Sequence, residues 1–164
     1  MGVKKRLNIA DYIDTTPNTE TATYALMGTG FKTLDENPSA QTKSKKYVCD
    51  SSATKSIASY DDSFPFEIDQ IREQPAIEFI CEIGEQRKTG SDAETTYVRV
   101  DLDKPVSATM ENVEYEARLF HVAVEVASFA NDDGEMTGSG NLLGIGDLTK
   151  GKFNVETKKF TAEV

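Results

Sequence analysis

Residues 114–128 read EYEARLFHVAVEVAS, and this stretch decides the fold class. Phe120, Val122, Val124 and Val126 recur at every second position, with His121, Ala123 and Glu125 between them. Successive side chains of a strand point to opposite faces, so a period of two marks a strand with one face buried and one wet. This is the longest strand that the pattern predicts. Asn131-Asp-Asp-Gly134 follows as a strong turn signal, and Asn141–Leu148 reads as a further strand. Lys152-Phe-Asn-Val155 and Lys159-Phe-Thr161 frame a closing hairpin around Glu156-Thr157-Lys158.

The same alternation extends upstream. Val98, Val100 and Leu102 alternate with Tyr97, Arg99 and Asp101, and Phe64, Phe66 and Ile68 with Pro65, Glu67 and Asp69. Pro65 places its strand at an edge or a bulge, because it cannot donate to a ladder. Ile57–Ile68 is a strand or a pair broken around Asp61-Asp62, and Tyr24–Lys32 is the first firm strand, with Gly28 and Gly30 hinting at a bulge or a close backbone approach. One helix is expected over about residues 74–86. Pro75 suits its first turn, Ala76, Phe79, Ile80 and Ile83 form an apolar stripe, and Arg87 and Lys88 suit its exit. The expectation is a single mainly β domain over 1–164, a β-sandwich or barrel of about seven strands with one flanking α-helix.

Two segments depart from this pattern. Residues 1–23 mix Leu7, Ile9, Tyr12 and Ile13 with polar residues and Pro17, and read as an arm that is mobile until a partner fixes it. Residues 33–56, TLDENPSAQTKSKKYVCDSSATKS, form a polar stretch of 24 residues, far longer than most connections in compact domains. It reads as an inter-strand loop, poorly ordered in the free subunit, that reaches another molecule.

At 164 residues the chain is long enough to bury roughly 70% of its unfolded surface without staples. Cys49 and Cys81 have no paired spacing with a second Cys or His, which speaks against both a metal site and a disulfide framework. Met1–Arg6 leads into mixed polar sequence rather than a signal h-region, and the apolar runs fall far short of a membrane span. The expectation is a soluble protein made in the cytoplasm, with no membrane partner. The formal net charge is −10, unevenly placed: residues 1–55 hold eight Lys/Arg against six Asp/Glu, and residues 56–164 ten against twenty-two. Plain solubility accounts for such a balance, while the sharper reading is a mildly basic attachment region on an acidic body. A chain this acidic is a poor grasper of nucleic acid, since tight non-specific binding neutralises phosphates with Lys and Arg.

No constellation for chemistry emerges. His121 has neither a Cys/His cluster for a metal nor a nucleophile for a triad, and reads as an exposed or interface residue. Gly28-Thr-Gly30 and Gly138-Ser-Gly-Asn141 do not open helices, so they read as bends rather than phosphate loops. Asp61-Asp62 and Asp132-Asp133-Gly134 lack the spacing of a calcium loop and read as solvated turn carboxylates. The expectation is a non-enzymatic protein with no metal and no cofactor.

The order of segments carries a resemblance. An arm is followed by YALMGTGFKTLDENPSAQ, a polar stretch ending in KKYVCD, and IASYDDSFPFEIDQI. Then come the helix segment IREQPAIEFICEIGEQRKTG, the strand YEARLFHVAVEVASF and the terminal GDLTKGKFNVETKKFT. From about Leu7 to Thr161 the chain resembles the major tail tube proteins of long-tailed bacteriophages and prophages. That family implies a β-sandwich related to the tubes of contractile tails and type VI secretion. It implies hexameric rings that stack through the N-terminal arm and the long early loop into a conduit for DNA. It also implies a location in the virion tail, assembly in the bacterial cytoplasm, and tail terminator, tape measure and distal tail proteins as partners.

Mapped onto this chain, the resemblance makes Asp35, Glu36, Lys43, Lys45, Lys46 and Lys55 the inter-ring stacking loop, and Leu7, Ile9, Tyr12 and Ile13 the arm contacts. Six copies at −10 total −60, so the tube repels DNA that passes through it without specific binding. Alternation leaves Glu67, Asp69, Asp101 and Glu125 opposite the core, as candidates for the lumen. Two other readings remain open: a tube of a contractile tail or injection particle, and an acidic DNA mimic that inhibits a nucleic-acid enzyme.

Overall fold

The computed structural model describes residues 2–106 and 114–163. The chain is mainly β, with one α-helix, a curled sheet whose seven-strand path forms a half-barrel, and a second small sheet. In chain order the strands are β1 (Ile9–Asp14), β2 (Tyr24–Leu26), β3 (Phe31–Leu34), β4 (Ala40–Lys45), β5 (Thr54–Tyr60) and β6 (Ser63–Asp69). Helix α1 (Pro75–Glu85) follows, then β7 (Glu94–Pro105), β8 (Glu114–Asp132), β9 (Glu135–Asn154) and β10 (Lys159–Ala162). The large sheet has the order β2-β1-β7-β8-β9-β6-β3, with β10 paired to β9 off that path, and β4 and β5 pair only with each other.

The β8–β9 hairpin is the spine. Its ladder runs from Glu114 opposite Asn154 to Asp132 opposite Glu135, closed by the expected Asp133-Gly134 turn. The sequence pattern broke β9 into pieces because its apolar alternation is interrupted by glycines. The structure carries one strand of 20 residues through all of them. Its register shifts opposite Leu119 and His121, where Gly146 takes a φ of +69° that other residues rarely adopt.

Bends of this kind let the sheet curl. In a flat sheet β1 and β9, separated by β7 and β8, would lie about 14 Å apart. Yet the rings of Tyr12 on β1 and Phe153 on β9 have centroids 4.5 Å apart. Phe64 on β6 likewise meets Tyr97 on β7 at 4.9 Å and Phe120 on β8 at 4.8 Å. Two cores result. One joins Phe64, Phe66, Ile68, Tyr97, Phe120, Val122 and Val124 to α1, and the other joins Tyr12, Tyr24, Val98, Val100, Ala117 and Phe153. β7 is therefore buried on both faces, and the alternation of Val98 and Val100 with Tyr97 and Arg99 separates two interiors rather than core from solvent.

β1 corrects the expectation of a mobile arm over 1–23. It lies inside the sheet between β2 and β7, with Ile13 in the first core and Tyr12 in the second. The loop after it is tied down by Asp14, whose Oδ1 accepts N–H bonds from Thr16 at 2.9 Å and Thr23 at 3.1 Å. Of the described residues, 2–8 precede the sheet, as an exposed stretch without regular structure and a 3-10 turn at Arg6–Asn8. Gly30 is the close approach that its neighbourhood suggested: its φ is +92°, and a side chain there would meet Ile77 and the carbonyl of Asp69.

The helix starts at Pro75 as expected, but its buried face is broader than the stripe read from sequence. Ala76, Ile77, Ile80, Cys81, Ile83 and Gly84 are buried, and Phe79 is only partly covered. Arg72 clamps the outer face through Glu78, at 2.5 Å, and Glu85. Gly84, the second-to-last residue of the helix, packs closely on β8, where a Cβ would stand 2.8 Å from both Phe129 and Val126. Alanine favours a helix interior by about 1 kcal/mol over glycine, but overpacking typically costs about 1–3 kcal/mol. Gly84→Ala is therefore expected to lower stability in urea denaturation, with an unchanged or higher midpoint overturning this account of the helix–sheet contact.

Candidate functional site

The second sheet is where the fold leaves a compact outline. β3 runs along β6 as the edge pair of the large sheet, and both strands continue past its end. Asp35 donates its N–H to Pro65 O at 3.1 Å, and Asn37 and Ser63 exchange N–H···O bonds of 2.8 and 2.9 Å. Beyond them β4 and β5 form a hairpin in which every strand residue is exposed. The expectation of a poorly ordered loop over 33–56 is thus corrected: the polar stretch is a β ribbon because Ala40–Lys45 and Thr54–Tyr60 satisfy each other's backbone groups.

The hairpin carries both charge and apolar surface. Lys43 and Lys45, opposite Ser56 and Thr54, share one face, and Lys55 and Ile57, opposite Ser44 and Thr42, share the other. Lys43, Lys45, Lys46 and Lys55 form no ion pair among the described residues. Tyr47, Val48, Ile57 and Tyr60 are exposed as well. An isolated two-stranded hairpin is at best marginally stable in water, so such a surface gains most from a partner.

The root of the hairpin is fastened to the body. Glu36, expected among the stacking contacts, accepts a bidentate pair from Arg118, with Nη1 at 2.7 Å and Nη2 at 3.0 Å. Arg118 in turn lies over the ring of Phe120 at 5.5 Å. Asp35 holds the same root through its backbone, and its side chain is exposed. Arg6 joins the N-terminal turn to the root, because Nη2 reaches Asp11 Oδ2 at 2.5 Å and Leu34 O at 3.4 Å. Asp11 is buried. It accepts the Tyr97 hydroxyl, and Arg99 Nη1 lies 3.3 Å from that hydroxyl and 3.7 Å from the carboxylate. This buried network had no signal in the sequence, since its members lie on strands whose pairing was not legible. Of the expected arm contacts, Leu7 is exposed and Ile9 is half-buried opposite Asp101. Tyr12 and Ile13 are core residues instead.

The acidic candidates divide. Glu67 and Glu125 are exposed on the face opposite the α1 core, as their neighbours Phe66, Ile68, Val124 and Val126 pack into it. Glu67 lies opposite Ser139 and Glu125 opposite Asn141, whose Nδ2 donates to Glu125 at 3.3 Å. Glu94, opposite Ala123, joins them and went unread because only the β7–β8 register brings it there. Asp69 is bound to Lys32 at 3.1 Å. Asp101 has Val100 on the second core beside it, so it turns to the other face, where Lys4 Nζ holds it at 2.5 Å.

No group of three metal-ligating side chains occurs among the described residues, and no described helix is long and apolar enough to cross a membrane. His121 is exposed. A cleft of about 630 Å³ beside β7 and β10 is lined by Lys4, Lys104 and Lys152, each paired to an acid. Lys150 lines the same cleft and has no ion pair among the described residues. No protein-family model matches the chain, and no curated protein matches it.

The Asp11 network has a pH signature. Burial first, and then the charge of Asp11, hold the Tyr97 phenol well above its usual range. A group raised in the folded state stabilises fully below its unfolded pKa, near 10, and that stability is lost as pH rises through the folded value. Tyr97→Phe leaves Asp11 short of one donor and is expected to cost about 1–3 kcal/mol at neutral pH. It should also flatten the fall in stability above about pH 10, in urea titrations at stepped pH. An identical slope in both proteins would contradict the assignment.

Proposed function

We propose that this chain is the structural subunit of a tube of the phage tail type, built from rings of copies that stack into a conduit. The β4–β5 hairpin carries the reading: its two strands are exposed throughout, and its four lysines have no ion pair among the described residues, on a body that holds the chain's acidic excess. Such a projection is built for another molecule, and the net charge of −10 favours a second copy over nucleic acid.

Other features support the same reading. A half-barrel leaves open edges at β2 and β3, and unpaired edge strands are a liability in a monomer that ring closure removes. The face with Glu67, Glu94 and Glu125 has no Lys or Arg at the outward positions of β6, β8 and β9 between Ser63 and Glu67, His121 and Glu125, and Ser139 and Ile145. Turned inward in a ring, it makes a bore that repels phosphate. The order of sequence segments, from the N-terminal stretch to the closing hairpin, joins these features to the tail tube proteins.

Negative-stain microscopy of the purified protein at high concentration is expected to show rings or tubes. Deleting Ser39–Ser52 should leave a folded chain, by circular dichroism, that forms none. Normal tubes from the deletion variant would remove the hairpin from assembly, and a native chain that stays monomeric at every concentration would remove the tube. Glu67→Lys combined with Glu125→Lys should still assemble, since both side chains are exposed, but should slow DNA passage in an ejection assay on assembled particles.

A further inference from the structure

The hairpin and the β8–β9 turn leave the body from opposite ends of one strand. At the Ser63 end of β6 the chain passes into the hairpin. At the other end, Asp69 lies opposite Thr137 and Gln70 N donates to Met136 O at 3.0 Å, which places the β8–β9 turn there. Seven residues of strand separate the two ends by about 20 Å. The far end carries Asp132, Asp133 and Glu135, all exposed, together with exposed Ile71 and Met136. Lys32 lies 3.9 Å from Asp132, and Asp133 and Glu135 have no ion pair among the described residues. The hairpin end therefore offers lysines with exposed Ile57 and Tyr60, and the turn end offers carboxylates with exposed Ile71 and Met136.

We infer that the β4–β5 hairpin of one copy docks on the β8–β9 turn end of the next, so that copies associate head to tail along the direction of β6. The inference rests on the tube reading and names the receiving surface. Opposite charge at opposite ends of one body fits a heterologous end-to-end contact, which repeats indefinitely, whereas an end-to-end two-fold pairing would set like ends together. The unpartnered hairpin supplies the apolar area, and the charges set direction and register. Because the facing charges are exposed, the association weakens as salt is raised.

Reversing charges in pairs tests this. Lys43→Glu with Lys45→Glu, and separately Asp132→Lys with Glu135→Lys, alter exposed side chains, and unchanged melting would show that the fold is kept. Each pair is expected to weaken self-association in sedimentation by roughly tenfold or more at low salt. The chain bearing all four changes should regain it, because the complementarity is restored with the signs exchanged. If hairpin reversal disrupts assembly while turn reversal leaves it intact, or the four-fold variant does no better than either pair, the receiving surface is elsewhere and only this inference falls. If the native chain does not self-associate at all, the tube reading falls with it.

Discussion

Burial of β7 on both faces is the constraint on which the rest of the molecule depends. Tyr97 points into one core and Val98 and Val100 into the other. A single sheet covers both faces of one of its own strands only if distant strands fold back over it. Here β6 brings Phe64 onto Tyr97, and β9 brings Phe153 onto Tyr12. The long β8–β9 hairpin makes both approaches possible, because its register shifts let the ribbon bend without losing its ladder. Each aromatic contact adds about 0.5–1.5 kcal/mol beyond the area it buries, so the curl is held by the packing that it creates.

The same curl leaves the half-barrel unfinished. Among the described residues, edge strands β2 and β3 have no outer partner, and β3 and β6 run on into a hairpin whose strands stay exposed throughout. The root of that hairpin is not loose: Glu36 is clamped by Arg118, and Arg6 bridges Leu34 to the buried Asp11. A firmly held root with an exposed blade is suited to presenting a surface in a fixed direction. Charge follows the same plan: among the described residues, the lysines on the blade have no ion pair, nor do Glu67, Glu94 and Glu125 on the open sheet face or Asp133 and Glu135 at the β8–β9 turn. These features together sustain the proposed role as a subunit that assembles with its own kind.

Much of the fold was legible in the sequence. The alternation in 114–128, the Asn131–Gly134 turn, the closing hairpin and the Pro75 start of the helix are all local signals, and local geometry produced each of them. The break at Asp61-Asp62 also separates two strands, as read. The errors fell where pairing outweighs composition. Residues 9–14 are too polar to announce a core strand, because Asp11 and Asp14 are buried with their hydrogen bonds satisfied by Arg6, Tyr97 and the 15–23 loop. Residues 40–56 look like a loop because neither face of their hairpin is buried, so there is no alternation to see.

By itself, then, the sequence determined the strand-rich class, the single helix, the turns and the separation of a basic segment from an acidic body. These depend on side-chain period, on glycine and proline, and on charge, all of which are written locally. Only the tertiary structure decided that β7 would be covered twice, that Asp101 would part from Glu67 and Glu125, and that Glu94 would join them. It also set the hairpin and the acidic turn at opposite ends of β6. The reason is register: which face a residue occupies is a matter of parity along a strand. Which residues become neighbours is settled by pairings between segments far apart in the chain, through contacts that no local pattern records.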